Sequence, residues 1–326
     1  MDRRKLLGLL ASASAALAAG PAWSRTAYPS QPIRLMVGFP PGGATDVLAR
    51  LVAQRVGARL GQSVVVDNQA GAGGLLATGN VAKAKADGYT LIFSSSTHAI
   101  YPALYSKVAF DPVTSFQPIG LVATTPYVLV VHPSLPVKTM QELLDYARKH
   151  PGELNYAGSS AGTAQHLGWE LIKRAAKVDM QYVPYKGSGD LLPDLRAGRL
   201  QAAIDNVAVM RPHIEDGSLR AIAVTGKAAS AVLPGVPPIS AVGGALADFE
   251  AVGWFGVFAP AGLPAQVSQV LATELAAVMQ LPEVRERLLL IGAQAQDGSA
   301  GALRQMLDRE VRTWTPIIQS AGIKVS

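Results

Sequence analysis

The chain has 326 residues, 49% hydrophobic and 16% charged, with a formal charge of +6. That balance suits an ordered globular protein of one large or two medium domains. There is no cysteine, which excludes disulfides, thiolate metal sites, cysteine nucleophiles and a lipobox anchor.

Residues 1–24 read as a secretory signal peptide. Arg3, Arg4 and Lys5 precede an apolar, small-residue run over 6–19, and Ala22-Trp23-Ser24 offers small residues where a signal peptidase reads, with cleavage after Ser24. The run is too short to span a bilayer comfortably. Arg3-Arg4 fits a twin-arginine signal, and Sec export fits equally. The three basic residues against Asp2 give this leader +2, which leaves +4 for the remainder. A mild positive field helps an anion arrive, or simply keeps the chain soluble. Basic residues are scattered singly, so no nucleic-acid partner is expected. No later run reaches spanning length, and a soluble, exported protein is expected.

Strand and helix patterns then alternate. Residues 33–39 predict a strand and 45–60 a helix, 63–67 a strand and 73–83 a helix, and 89–94 a third strand. Residues 127–131 predict a strand followed by a helix over 139–149. Residues 154–157 lead into a helix over 163–175, and 181–183 into one over 190–197. Residues 200–204 and 219–224 predict short buried strands. A last strand at 252–258 precedes helices over 264–281, 282–291 and 299–321. Brief apolar strands joined by helices give α/β sheets that are mainly parallel and flanked by helices. The length after the leader is comfortable for two lobes. In such sheets ligands sit beyond the carboxyl ends of the strands, so small-residue loops there mark a candidate site.

Four loops meet that description. The first runs from Phe39 through Pro40, Pro41, Gly42, Gly43, Ala44 and Thr45 to Asp46, out of a strand and into the first turn of a helix. Backbone N–H groups without intrahelical partners and the positive end of the helix dipole make such a turn an anion trap. The second runs from Tyr156 to Thr163 through Gly158, Ser159, Ser160, Ala161 and Gly162, with Thr163 placed as an N-cap. One such turn in each half suggests two opposed grips on a ligand with two anionic ends. Neither loop carries the Lys-Ser/Thr of a phosphate loop or the G-x-G-x-x-G fingerprint, which favours a carboxylate over a nucleotide. The third loop is Ser94-Ser95-Ser96-Thr97-His98, whose hydroxyls either donate to a ligand oxygen or cap the next segment. The fourth is Tyr185-Lys186-Gly187-Ser188-Gly189, followed by Asp205-Asn206 at the end of a buried strand; Lys186 is either a counter-charge or an exposed lysine.

Gly158-Ser159-Ser160-Ala161-Gly162 also matches G-x-S-x-G, the nucleophile elbow of α/β-hydrolases, and Asp205 and His213 follow in the order of a triad. Against it, no His-Gly-Gly oxyanion segment precedes the serine, and His213 follows Asp205 closely. The five histidines, His98, His132, His150, His166 and His213, show no metal-ligand spacing. His166 either donates to a bound anion or serves as a cap. No metal and no cofactor is expected.

The ordered set of short motifs resembles a known family. Tyr28-Pro29-x-x-Pro32-Ile33, Phe39-Pro40-Pro41-Gly42-Gly43 with Asp46, Gly71-Ala72-Gly73-Gly74, Asp87-Gly88-Tyr89-Thr90-Leu91, and Asn155-Tyr156-Ala157 carry the first half. Gly162-Thr163-x-x-His166-Leu167, Val183-Pro184-Tyr185-Lys186-Gly187, Asp194-Leu195-x-x-Gly198, Leu233-Pro234-x-Val236-Pro237, and Trp254-x-Gly256-x-x-Ala259-Pro260-Ala261-Gly262-x-Pro264 carry the rest. Together they are similar to the Bug receptors, the substrate-binding proteins of tripartite tricarboxylate transporters. The resemblance implies a two-lobed periplasmic binding protein, type II-like, with the chain crossing twice between lobes. One lobe would be 25–126 plus 247–326 and the other 127–246. It implies a small carboxylate held between the first two loops, with no bond made or broken, by a monomer that serves a membrane permease or a sensor kinase. Carried over residue by residue, Phe39, Gly43, Ala44, Thr45 and Asp46 fall on one grip. Ser160, Ala161, Gly162, Thr163 and His166 fall on the other, and Ser94, Ser95 and Asp205 on the wall between. The chain departs from the pattern at Lys227-Ala228-Ala229-Ser230, where the family usually carries an arginine. It departs again at Pro238-Ile239-Ser240-Ala241-Val242, where a glutamate is common.

Overall fold

A computed structural model describes residues 28–158, 162–185, 187–230, 232–290, 292–320 and 322–324. The expected signal peptide lies outside them. The described residues from Gln31 onward form one compact unit.

β1 (Ile33–Val37) buries four of its five residues and leads into α1 (Ala44–Leu60). β2 (Val64–Asn68), α2 (Leu75–Ala82), β3 (Thr90–Ser95) and the short α3 (Tyr101–Leu104) follow. β4 (Phe116–Val131) is 16 residues long and buried along nearly all its length. Next come α4 (Met140–Lys149), β5 (Asn155–Gly158), α5 (Ala164–Ala176), β6 (Gln181–Tyr182), α6 (Ser188–Arg196), β7 (Ala202–Asn206), α7 (Val207–Glu215) and β8 (Arg220–Val224). β9 (Val252–Pro260), α8 (Ala265–Met279), α9 (Pro282–Leu290), β10 (Gln294–Ala295) and α10 (Ala300–Ser320) close the chain. Among the described residues no helix is long and apolar enough to cross a membrane.

Two sheets share one strand. β1 pairs in parallel with β2 and β3, so the loops that leave β1 and β3 emerge at one edge. β5 likewise pairs in parallel with β6 and β7. β4 is the strand that pairs in both sheets, and its partners β7, β8, β9 and β10 all run antiparallel to it. β9 runs between β3 and residues 116–126 of β4. Residues 127–131 of the same strand pair with β7 and β8 in the other sheet. Thr225, fully buried, fastens the crossing. Its hydroxyl accepts from the Tyr127 N–H at 2.8 Å, its own N–H donates to the Tyr127 carbonyl at 3.0 Å, and its carbonyl accepts from Ala251 N–H at 3.0 Å.

The first half of β4 was not predicted as a strand. Pro118, Gly120 and Pro126 read as breakers, and the structure accommodates them with register shifts at 118/120 and 121/123. Gly120 is needed where the backbones meet: a Cβ there would overlap the carbonyl oxygen of Gly298 and lie 2.8 Å from Leu275 Cδ2. Gly120→Ala is therefore expected to cost about 3 kcal/mol, the upper end of overpacking, in urea denaturation. The control Gly301→Ala meets nothing within 4 Å and is expected to be neutral or mildly stabilising.

Candidate functional site

The first loop is held by its neighbours and by its own helix. Gly38, just past β1, allows no side chain, because a Cβ would lie 2.5 Å from the Cα of Gly74. The glycines after β2 thus let that loop nest against the end of β1, fastened by Tyr101 Oη to the Gly73 carbonyl (3.0 Å) and Tyr105 Oη to the Ala72 carbonyl (2.9 Å). Gly42 has φ 85°, open to glycine at little cost. Gly43 is the N-cap of α1, with extended backbone and no side-chain cap. Ala44, Thr45 and Asp46 supply the first-turn N–H groups, and Thr45 and Asp46 are buried.

Asp46 shapes this loop. Oδ2 accepts from the Gly42 N–H at 2.9 Å and from Arg50 Nε at 3.0 Å, while Oδ1 accepts from Asn68 Nδ2 at 2.9 Å. Asn68 Nδ2 also donates to the Phe39 carbonyl at 3.0 Å, so both ends of the loop hang on one carboxylate–amide pair. Burial alone would raise this carboxyl, but the hydrogen bonds from Arg50, Gly42 and Asn68 outweigh it and hold it below the usual carboxylate range.

The second loop follows the same plan. Gly158 ends β5 where a Cβ would lie 2.5 Å from the backbone nitrogen of His166. Ser160 and Ala161 lie outside the described residues. Gly162 has φ 76°, and its N–H donates to His166 Nδ1 at 3.0 Å. Thr163 takes the N-cap backbone position expected of it, yet its side chain makes no cap bond. His166 is nearly buried, stacked on Tyr182 with ring centroids 3.9 Å apart. Burial lowers its pKa to about 4, the Glu170 carboxylate opposing and Lys173 adding to the shift. It is a neutral imidazole with Nδ1 as acceptor, which leaves the proton on Nε2, 3.9 Å from Glu170 Oε1. Glu170 is itself bound by Tyr156 Oη and lies 3.4 Å from Lys173 Nζ. Of the roles the sequence left open for His166, the structure assigns its Nδ1 to closing the loop.

The two loops share one register. In each, a left-handed glycine precedes the N-cap, and the third helical residue reaches back to that glycine's N–H. This is a capping box displaced by one residue. It satisfies the loop and leaves the first-turn N–H groups of α1 and α5 without a side-chain cap. One reaching group is a carboxylate, the other a neutral ring. The shared spacing, G-x-x-x-D and G-x-x-x-H, was visible in the sequence, though nothing there said that the two side chains play the same part.

The residues expected on the wall between lie on β3 and β7, with β4 beside them. Ser94 is buried, and Ser95 Oγ lies 3.0 Å from Thr97 Oγ1. His98 is a core residue, stacked on Phe258 at 4.3 Å, with Nε2 3.1 Å from the Pro112 carbonyl; burial lowers it to about 4. Tyr127 joins the two sheets' edges. Burial pushes its phenol far above the usual range, the Asp205 and Glu310 carboxyls add to the push, and the Ser96 hydroxyl opposes it. Asp205 is fully buried, and its Oδ1 accepts from Ser188 Oγ at 2.9 Å and from Asn206 N–H at 2.6 Å. Among the described residues Asp205 and His213 form no pair: His213 Nδ1 lies 3.8 Å from Asp216 Oδ2. Lys186 is outside the described residues. Among those residues no group of three His, Asp or Glu side chains could hold a metal ion.

The fold has counterparts among known proteins. Residues 48–323 match the family model of the tripartite tricarboxylate transporter family receptor. The chain is similar to the solved structure of R. palustris Rpa4515 with adipate, at 37% identity and TM-score 0.80, covering 91% of this chain and 100% of that one. It is similar to MatC from Rhodopseudomonas palustris with bound malate, at 30% identity and TM-score 0.76, covering 89% and 100%. It is also similar to the periplasmic binding protein BugD, at 31% identity and TM-score 0.76, covering 91% and 100%. The chain shares the two-lobed, mixed α/β fold of these neighbours.

Proposed function

The chain belongs to the tripartite tricarboxylate transporter receptor family, and from that premise we propose that it is a periplasmic receptor that captures a small organic carboxylate between two lobes and delivers it to a membrane permease. The lobes are 25–126 plus 247–326, and 127–246. The carboxylate lies between the first-turn N–H groups at Gly43 to Asp46 and those at Thr163 to His166, with Phe39, Ser94, Ser95, Ser160, Ala161, Gly162 and Asp205 around it. The observation that carries this reading is the pair of like-built helix starts, each without a side-chain cap. Amide N–H groups on a carboxylate are charge-assisted bonds, the strong kind. The adipate and malate held by two of its neighbours support the ligand class.

A receptor needs no nucleophile. Closure over the ligand presents a shape that the permease reads, and opening releases the cargo. The direct test is thermal unfolding with a panel of mono-, di- and tricarboxylates. A ligand at one hundred times its dissociation constant adds about 2.7 kcal/mol to native stability, so the melting temperature is expected to rise. An unchanged melting temperature across the panel would overturn the proposal. Loss of uptake of that ligand in a deletion strain tests delivery to a permease, and loss of gene induction alone would point to sensing instead.

A further inference from the structure

Asp205 is enclosed at the carboxyl end of β7, and its two oxygens are treated differently. Oδ1 is crowded with donors: Ser188 Oγ at 2.9 Å, Asn206 N–H at 2.6 Å and Asn206 Nδ2 at 3.1 Å. Oδ2 is buried and accepts no hydrogen bond. Three donors on one oxygen favour the ionised group, yet a buried charged acceptor left bare is among the costlier things a fold can carry. Burial holds this carboxyl above the usual carboxylate range, and hydrogen bonds from Ser188, Asn206 and the Gln165 side chain oppose the shift without cancelling it.

The place of this oxygen points to what completes it. In the parallel pairing of β5 with β7, Gly158 faces Ile204, the residue before Asp205. Gln165, in the first turn of α5, and Ser188, the first residue of α6, both act on the carboxyl. Tyr127, on the shared strand, is coupled to it from the side of Ser96 and the third loop. The starts of α5 and α6 and the shared strand thus all bring groups to this one carboxyl. A bound carboxylate alone would set anion against acceptor there, with no proton between them.

We infer that the ligand itself brings the missing donor: Asp205 Oδ2 accepts a hydrogen bond from a hydroxyl or ammonium group of the ligand, which makes that ligand a hydroxy- or amino-carboxylate and not an unsubstituted acid. This rests on the carboxylate reading of the cleft. It assigns Asp205 the choice among carboxylates, while the two helix starts hold the carboxylate as such.

Calorimetric titration of the full chain, freed of co-purified ligand by unfolding and refolding, tests it. The probes are succinate, malate and aspartate; glutarate, 2-hydroxyglutarate and glutamate; benzoate and 3-hydroxybenzoate. A substituted acid is expected to bind at least tenfold tighter than its parent in one series, and malate against aspartate tells hydroxyl from ammonium. In Asp205→Asn, which keeps an acceptor toward Ser188 and sets an amide N–H where Oδ2 stood, that advantage is expected to disappear or reverse. Parents that bind as tightly as their substituted forms in every series would overturn the inference while leaving the carboxylate reading intact. So would an advantage that persists in Asp205→Asn, or binding of a parent acid accompanied by uptake of a proton. No binding by any probe would overturn both. The wild-type comparison decides the matter even if the variant folds poorly.

Discussion

Asp46→Ala is expected to weaken carboxylate binding by about one hundredfold, measured by calorimetric titration, with Asp46→Asn between it and the wild type. The Asp46 carboxylate accepts from Gly42, Arg50 and Asn68, and Asn68 in turn holds Phe39. Hydrogen bonds to a charged group contribute about 1.5–3 kcal/mol each, and each 1.4 kcal/mol of ordering transferred to the binding step is about tenfold in affinity. Two effects compete. Removing a negative charge beside an anion site should favour binding, whereas releasing the loop should oppose it. Arg50 already neutralises the carboxylate from 3.0 Å and is itself half exposed, so the charge effect is screened and the loop effect wins. Asn retains an acceptor for the Gly42 N–H and carries no charge. If Asp46→Asn binds more tightly than wild type, charge dominates and this account of the loop fails.

The second large effect is a pH dependence of stability with terms of opposite sign. Glu310, on α10, is buried and its pKa is pushed to about 7 by desolvation, with Glu250 adding while Trp314, Arg309 and Trp254 oppose. Trp314 Nε1 donates to its Oε2 at 2.8 Å. Folded Glu310 thus keeps its proton to about pH 7, while the unfolded chain loses it near 4.5. Its contribution is full below pH 4.5 and is lost as pH rises through 7, on the order of 3 kcal/mol. His98 and His166 behave the opposite way. Both are lowered to about 4 from 6.5, so their contribution is full above pH 6.5 and is lost as pH falls through 4. Between pH 4.5 and 6.5 the two histidines outweigh one glutamate, and above 6.5 the glutamate acts alone. These three groups place a stability maximum near pH 6.5. Glu310→Gln is expected to be more stable than wild type at pH 8, by up to about 3 kcal/mol, and near neutral at pH 5. Urea denaturation at both pH values checks this, and an equal effect at both would refute it.

Much of the fold was legible because helices and short buried strands alternate with glycine-rich turns. The predicted strand at 33–39 and the helix at 45–60 correspond to β1 and α1 within two residues. Patterns failed where tertiary context overrides local chemistry. Residues 116–126 carry two prolines and a glycine yet are strand, because β9 supplies the partner and bulges absorb the irregularity. β10 is two residues long and exists only because it lies against Thr124 and Ala123. At the candidate site the loops were visible as composition. What Asp46 and His166 do was not: an aspartate in the first turn of a helix reads as a dipole partner, and a histidine there as a possible anion donor. Only the left-handed glycine four residues earlier, pointing its N–H back, turns both into loop closers.

The shared strand β4 also fixes the order in which this molecule can fold. Its first half is bordered by β9 and β10, and Gln296 Nε2 reaches Thr124 Oγ1 across 172 residues of chain. Its second half finds β7 and β8 after far shorter loops. Closing long loops comes before the contacts that reward it, so high contact order slows folding. The inserted sheet, whose pairings with β4 close shorter loops than those of β9 and β10, is therefore free to form while the outer sheet still waits for its last strands. During that wait the edge of 116–126 stays unpaired, and a slow assembly phase that tracks docking of residues 252–320 onto a preformed inner sheet is the kinetic signature to look for.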